Sequence, residues 1–116
     1  MVACFAYGCD QLSTTKQSAL KEESFGVRGN CAMCKRTIEK AAAVEGVYQA
    51  VWDKKNKKID VAFDSIKTTD LVIHESIAMA GYDTDKMNGD TAAYNNLHAC
   101  CQYDQGMEMS LSAEKK

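Results

Sequence analysis

Ser24-Phe25-Gly26-Val27-Arg28-Gly29-Asn30-Cys31-Ala32-Met33-Cys34 is the stretch on which the reading of the whole chain turns. Residues 24–28 are short and partly alternating, which is a strand pattern. Residues 35–43 place Ile38, Ala41 and Ala42 on one face of a helix. The two cysteines therefore sit in a strand-to-helix loop, with Cys34 entering the first helical turn. At that spacing both sulfurs can aim at one point. A helix start offers unpaired N–H groups and the positive end of the dipole, and both stabilise a thiolate. Metal binding and thiol exchange each need that thiolate, so the rest of the chain has to choose between them.

A length of 116 residues with 46% hydrophobic content sets one modest core and a single domain. The formal net charge of −2 gives no basic surplus for nucleic acid, and no run reaches the ~18 apolar residues of a membrane span. Six cysteines come as three pairs, Cys4 and Cys9, Cys31 and Cys34, Cys100 and Cys101. Pairs of this kind indicate local sites more than a stapling framework. No nucleophile–base pair, glycine-rich phosphate loop or paired catalytic carboxylates stand out, so no enzyme is expected.

The chain divides into four parts. Residues 1–9 are apolar and place a small residue before a cysteine, similar to the tail of a truncated lipoprotein signal. That predicts an extracytoplasmic protein, periplasmic or tethered to a membrane by lipid; without such a signal the protein is cytoplasmic. Residues 10–23 are polar and read as a flexible tether, residues 24–103 as the domain built around the Cys31 and Cys34 loop, and residues 104–116 as a disordered tail.

Within the domain, residues 47–53 and 59–63 read as two strands joined by the lysine-rich turn 54–58, a solvated hairpin. Thr68-Thr69-Asp70 caps a second helix over 71–80, with Ile73, Ile77 and Ala80 as its buried stripe. Gly81 stops that helix and residues 82–86 supply a fourth strand. The order is βαββαβ, an α+β ferredoxin-like sandwich, with an added C-terminal helix over 90–99 that ends in Cys100-Cys101.

The cysteine loop, Ile38-Glu39-Lys40-Ala41, Gly46-Val47 and Ala80-Gly81-Tyr82 together resemble the heavy-metal-associated domain. That family includes copper chaperones, periplasmic mercury-binding proteins and N-terminal modules of metal-transporting ATPases. The resemblance implies a soft metal held between Cys31 and Cys34 and passed to or from a donor or acceptor protein such as a transporter. Cu(I) is the first expectation, with Zn(II) and Hg(II) as alternatives. Two departures mark this chain. The family loop reads Gly-Met-x-Cys, whereas Gly29-Asn30-Cys31 is one residue shorter and lacks that methionine. The second is the extension that carries Cys100 and Cys101.

A strand of five residues leads away from the loop by roughly 16 Å, and about ten helical residues climb back roughly 15 Å. This return predicts that Cys100 and Cys101 reach the level of Cys31 and Cys34 and give a site of three or four thiolates, with one of the pair favoured over both as metal ligand. The alternative is that Cys101 packs as a small apolar residue. His74 and His98 read as packing or surface histidines before ligands. Met107 and Met109 offer thioethers, and Tyr82 either shields the site or fills core. A thioredoxin-like oxidoreductase is the enzymatic rival, and the absence of any proline opposes it. A structural zinc module or a metal-sensing interaction domain is the other.

Overall fold

β1, Leu20–Gly26, is the strand about which the sheet is built. It runs antiparallel to β3, Lys58–Asp64, with Phe25 opposite Ile59 and Glu23 opposite Val61. β3 in turn pairs with β2, Val47–Asp53, to give a β2-β3-β1 antiparallel sheet. The computed structural model describes residues 19–109 and the strand at 113–114. The apolar segment 1–9 with Cys4 and Cys9, and the tether as far as residue 18, lie outside the described residues. β1 begins at Leu20, so the last residues expected in the tether are strand instead. Their side chains run Leu-Lys-Glu-Glu because that end of the strand is exposed, which removes the alternation a sequence reader looks for.

α1, Ala32–Ala42, and α2, Asp70–Met79, pack together on the sheet. α1 buries Cys34, Ile38 and Ala42, and α2 buries Ile73, His74, Ile77 and Ala78. They meet Phe25, Val27, Trp52, Ile59, Val61 and Phe63 in one core. Each large apolar side chain so buried contributes roughly 1.5–3 kcal/mol. Thr69 caps α2 by accepting the Val72 N–H at 3.3 Å. His74 is fully buried, stacks on Phe25 with ring centroids 3.7 Å apart, and bonds through Nδ1 to Thr84 Oγ1 at 2.7 Å. It is a core histidine.

The fold is the ferredoxin-like α+β sandwich, but its last strand is abbreviated. The expected strand over 82–86 narrows to a single bridge between Val27 and Thr84. The Arg28 N–H donates to the Asp83 carbonyl and the Asp85 N–H to the Gly26 carbonyl. Thr84 then breaks the strand, because its Oγ1 accepts the N–H groups of Lys86 and Met87 and folds the chain into a turn. Farther along the same edge of β1, β4 at Ala113–Glu114 pairs with Ser24 and Glu23. A segment expected to be tail thus takes up part of the edge.

The added helix is also shorter than the expected span 90–99. α3 covers Thr91–Asn95, capped by Asp90, whose side chain accepts the Ala93 N–H at 2.9 Å. Asn95 and Asn96 are poor helix formers and end it. After them the chain makes a 3₁₀ turn at Ala99–Cys101. No helix among the described residues is long and apolar enough to cross a membrane.

Candidate metal centre

Cys31 is the residue from which α1 starts. Its backbone is extended, and its carbonyl accepts the Lys35 N–H at 3.0 Å to open the helix. Cys34 is one turn on and fully buried, whereas Cys31 is partly exposed. Their sulfurs are 3.4 Å apart. Beneath the loop Trp52 and Ile38 fill the space: a Cβ on Gly29 would stand 2.9 Å from Trp52 Cζ2 and 3.0 Å from Ile38 Cδ1. Trp52 Nε1 donates to the Val27 carbonyl at 3.0 Å, which ties the end of β1 to β2 just before the loop.

The C-terminal arm brings two further sulfurs. Cys101 Sγ lies 3.5 Å from Cys31 Sγ, and the Cys100 and Cys31 sulfurs are 3.9 Å apart. Cys31, Cys34 and Cys101 all lie within 4.8 Å of one another, a spacing that could hold a single ion. Cys101 is buried and Cys100 exposed, 3.9 Å from it. The return of the chain is therefore made, though by a five-residue helix and a 3₁₀ turn.

Tyr103 anchors this arm. Its hydroxyl accepts the Asp83 N–H at 2.9 Å and donates to the Gly81 carbonyl at 2.8 Å. Its ring stacks on Tyr82 and meets Tyr94 edge-on, and Tyr94 Oη donates to the Tyr103 carbonyl at 2.7 Å. Gly81 has a positive φ of 102°, and a Cβ there would meet the Tyr94 nitrogen at 2.8 Å, so the close approach of α3 requires glycine. Arg28 straps the arm from the other side, with Nε donating to the Met107 carbonyl at 2.6 Å and Nη1 to Asp83 Oδ2 at 2.9 Å. Sequence reasoning missed Tyr103 and Arg28 as positioning residues. The one available signal was a large aromatic two residues beyond a cysteine pair.

Burial raises the Cys31 pKa, but the Cys34 N–H and the thiols of Cys34, Cys101 and Cys100 turned toward it outweigh that. They bring it from 9.0 down to about 7. Burial, with Cys34 and Cys31 alongside, pushes the Cys101 thiol far up. Burial also raises the Tyr82 phenol, whose hydroxyl lies toward the sulfurs of Cys34 and Cys101 without meeting hydrogen-bond geometry. The Cys34 thiol donates to Asn30 Oδ1 at 3.1 Å. His98 is exposed and Met107 packs against the core, its carbonyl turned to Arg28. The centre is thus a cluster of soft sulfur donors on a rigid base, suited to soft cations.

No family model and no curated protein matches the sequence. Solved structures do. The crystal structure of oxidized MerP from Ralstonia metallidurans CH34 is 30% identical over 58% of this chain and 96% of its own, with a TM-score of 0.55. A copper binding domain from HMA7, a P-type ATPase, is 31% identical over 56% of this chain and 90% of its own, with a TM-score of 0.54. The CopZ metallochaperone is 29% identical over 54% of this chain and 97% of its own, at 0.52.

Proposed function

Because this chain belongs to the heavy-metal-associated domain family, we propose that it binds Cu(I) and exchanges it with a partner protein, a metal-transporting ATPase being the leading candidate. The observation that carries this reading is the convergence of Cys31, Cys34 and Cys101 sulfurs within 4.8 Å at the start of α1. Cys31 and Cys34 grip the ion, Cys101 stands in reach for a third bond, and Cys100 lies at the exposed edge. The copper named for the ATPase domain and the metallochaperone role named for CopZ support the choice of Cu(I); Hg(II) has the same taste for few, soft ligands.

Transfer proceeds by ligand exchange. An incoming thiolate adds from the side of Cys31 and Cys100, where sulfur is exposed, and a three-coordinate intermediate forms. One of this chain's sulfurs then lets go, and the ion is never free. The residues perform no bond-making chemistry on an organic substrate.

Anaerobic titration of the reduced protein with Cu(I) and Zn(II) against a competing chelator tests the reading. One Cu(I) per chain is expected, with only sulfur around it by X-ray absorption, lost in Cys31→Ser and Cys34→Ser. Cys100→Ser/Cys101→Ser is expected to weaken binding. Uptake of neither metal would sink the proposal and leave thiol redox chemistry as the use of the cluster.

A further inference from the structure

The spacing of the sulfurs carries information about angle. With bonds near the ~2.3 Å of a metal–thiolate bond, linear ligation sets two sulfurs about 4.6 Å apart, trigonal-planar about 4.0 Å and tetrahedral about 3.8 Å. The observed separations from Cys31, 3.4 Å to Cys34 and 3.5 Å to Cys101, are shorter than all three. They correspond to angles of roughly 95–100° at the same bond length. Two such angles, with the third pair, Cys34 and Cys101, within 4.8 Å, fit a pyramidal centre, one whose lone pair holds three bonds on one side.

Charge points the same way. Cys34 and Cys101 are buried, with 0% and 2% exposure. Of the basic side chains near the loop, Arg28 is engaged with Asp83 and Lys35 with Glu39, and Arg36 is exposed. Three thiolates around Cu(I) would leave two negative charges in this setting, and three around Zn(II) or Hg(II) would leave one. Buried net charge is expensive. A trivalent centre with three thiolates is neutral. Cu(I) held by two thiolates, with Cys101 left a neutral thiol, lowers the charge to one negative, equal to that of three thiolates around Zn(II) or Hg(II).

We propose that Cys31, Cys34 and Cys101 form a three-thiol site for trivalent arsenic or antimony, captured as the neutral hydroxide. The inference rests on the reading of this cluster as a soft-metal site and adds a second class of cargo to it. The step is a threefold condensation: each As–O bond is replaced by an As–S bond, and each thiol proton leaves with a hydroxide as water. Three waters depart, arsenic stays trivalent and no electrons move. Cys100, exposed and 3.9 Å from both Cys31 and Cys101, is placed to make the first bond and pass the centre inward.

The test is anaerobic titration of the full reduced chain with sodium arsenite, followed by intact-mass analysis and arsenic-edge X-ray absorption. A Cu(I) titration of the same preparation runs beside it. The expected result is one arsenic per chain with three protons lost, three sulfur neighbours and no oxygen. In Cys100→Ser/Cys101→Ser, arsenic is expected to keep two sulfurs and one oxygen and to bind at least about tenfold more weakly. Two sulfurs and an oxygen in the unaltered protein would overturn the inference, as would equal arsenite affinity in the double variant. If Cu(I) binds while arsenite does not, the three-thiol inference alone falls; if neither binds, the soft-metal reading falls with it. The X-ray absorption of the unaltered chain decides the matter even where the double variant fails to fold.

Discussion

Asn30 and Cys34 face each other across the first turn of α1, the thiol donating to the amide oxygen at 3.1 Å. When Cys34 loses its proton the same amide can rotate and present its N–H groups to the thiolate. Asn30 thus serves both states of the sulfur. A carboxylate cannot, since it only accepts and carries like charge. Asn30→Asp is therefore expected to weaken Cu(I) binding by at least about tenfold, and Asn30→Ala by less, since it removes a bond worth about 1 kcal/mol. Chelator competition across the three proteins measures both. Equal affinities would mean that Asn30 does not touch the working sulfur.

Tyr103→Phe is expected to destabilise the domain by about 1–3 kcal/mol, because it leaves the buried Asp83 N–H and Gly81 carbonyl without their shared hydroxyl. Urea unfolding reads this directly. The same substitution loosens the arm that carries Cys101. Cu(I) ligation in Tyr103→Phe should therefore shift toward that of Cys100→Ser/Cys101→Ser. A variant with unchanged stability would show that the hydroxyl bridge carries no weight.

His74 provides a pH dependence whose sign follows from its surroundings. Burial holds its pKa below the ordinary 6.5, with opposing help from Asp85. Its Nε2 has no hydrogen-bond partner among the described residues, so a proton there would be unsupported. Above the ordinary imidazole value both folded and unfolded chains are neutral at this site and its contribution is complete. As the pH falls below the ordinary value toward the depressed folded one, the unfolded chain gains a proton that the folded one resists, and stability is lost until the folded chain is protonated too. The urea midpoint should fall between pH ~8 and ~5. In His74→Leu that decline should flatten, with a loss at neutral pH of about 1 kcal/mol for the bond to Thr84. An equally steep decline in the variant would assign the effect to carboxylates.

Much of this was legible in the sequence because glycine, capping and alternation report locally. Gly46 and Gly81 mark the ends of the two helices, Thr69 caps the second, and Ile59, Val61 and Phe63 set the buried face of β3. What escaped depends on side chains that serve distant backbone. Residues 82–86 look like a strand until Thr84 is seen to accept two N–H groups of its own turn. The helix over 90–99 looks continuous until Gln102 Nε2 reaches the carbonyls of Asn95 and Leu97 at its end. β1 starts early because its pairing reaches Leu20 opposite Asp64, where exposed side chains give no pattern. The four sulfurs could be placed at one level from strand and helix rise alone. Their division into two buried, one partly exposed and one exposed could not, since it depends on how Tyr103 seats the arm.

The Cys100-Cys101 arm also changes the competition any partner must meet. A thiol on a separate molecule reaches the cysteine loop at its bulk concentration. Cys101 is held there by the chain itself, at an effective concentration on the order of millimolar. An acceptor present at micromolar levels is then outnumbered by an internal rival it cannot dilute. On the proposed transfer function, release would be governed by how often the arm lifts away, and a partner that grips the arm would draw out cargo far faster than one that offers only a sulfur.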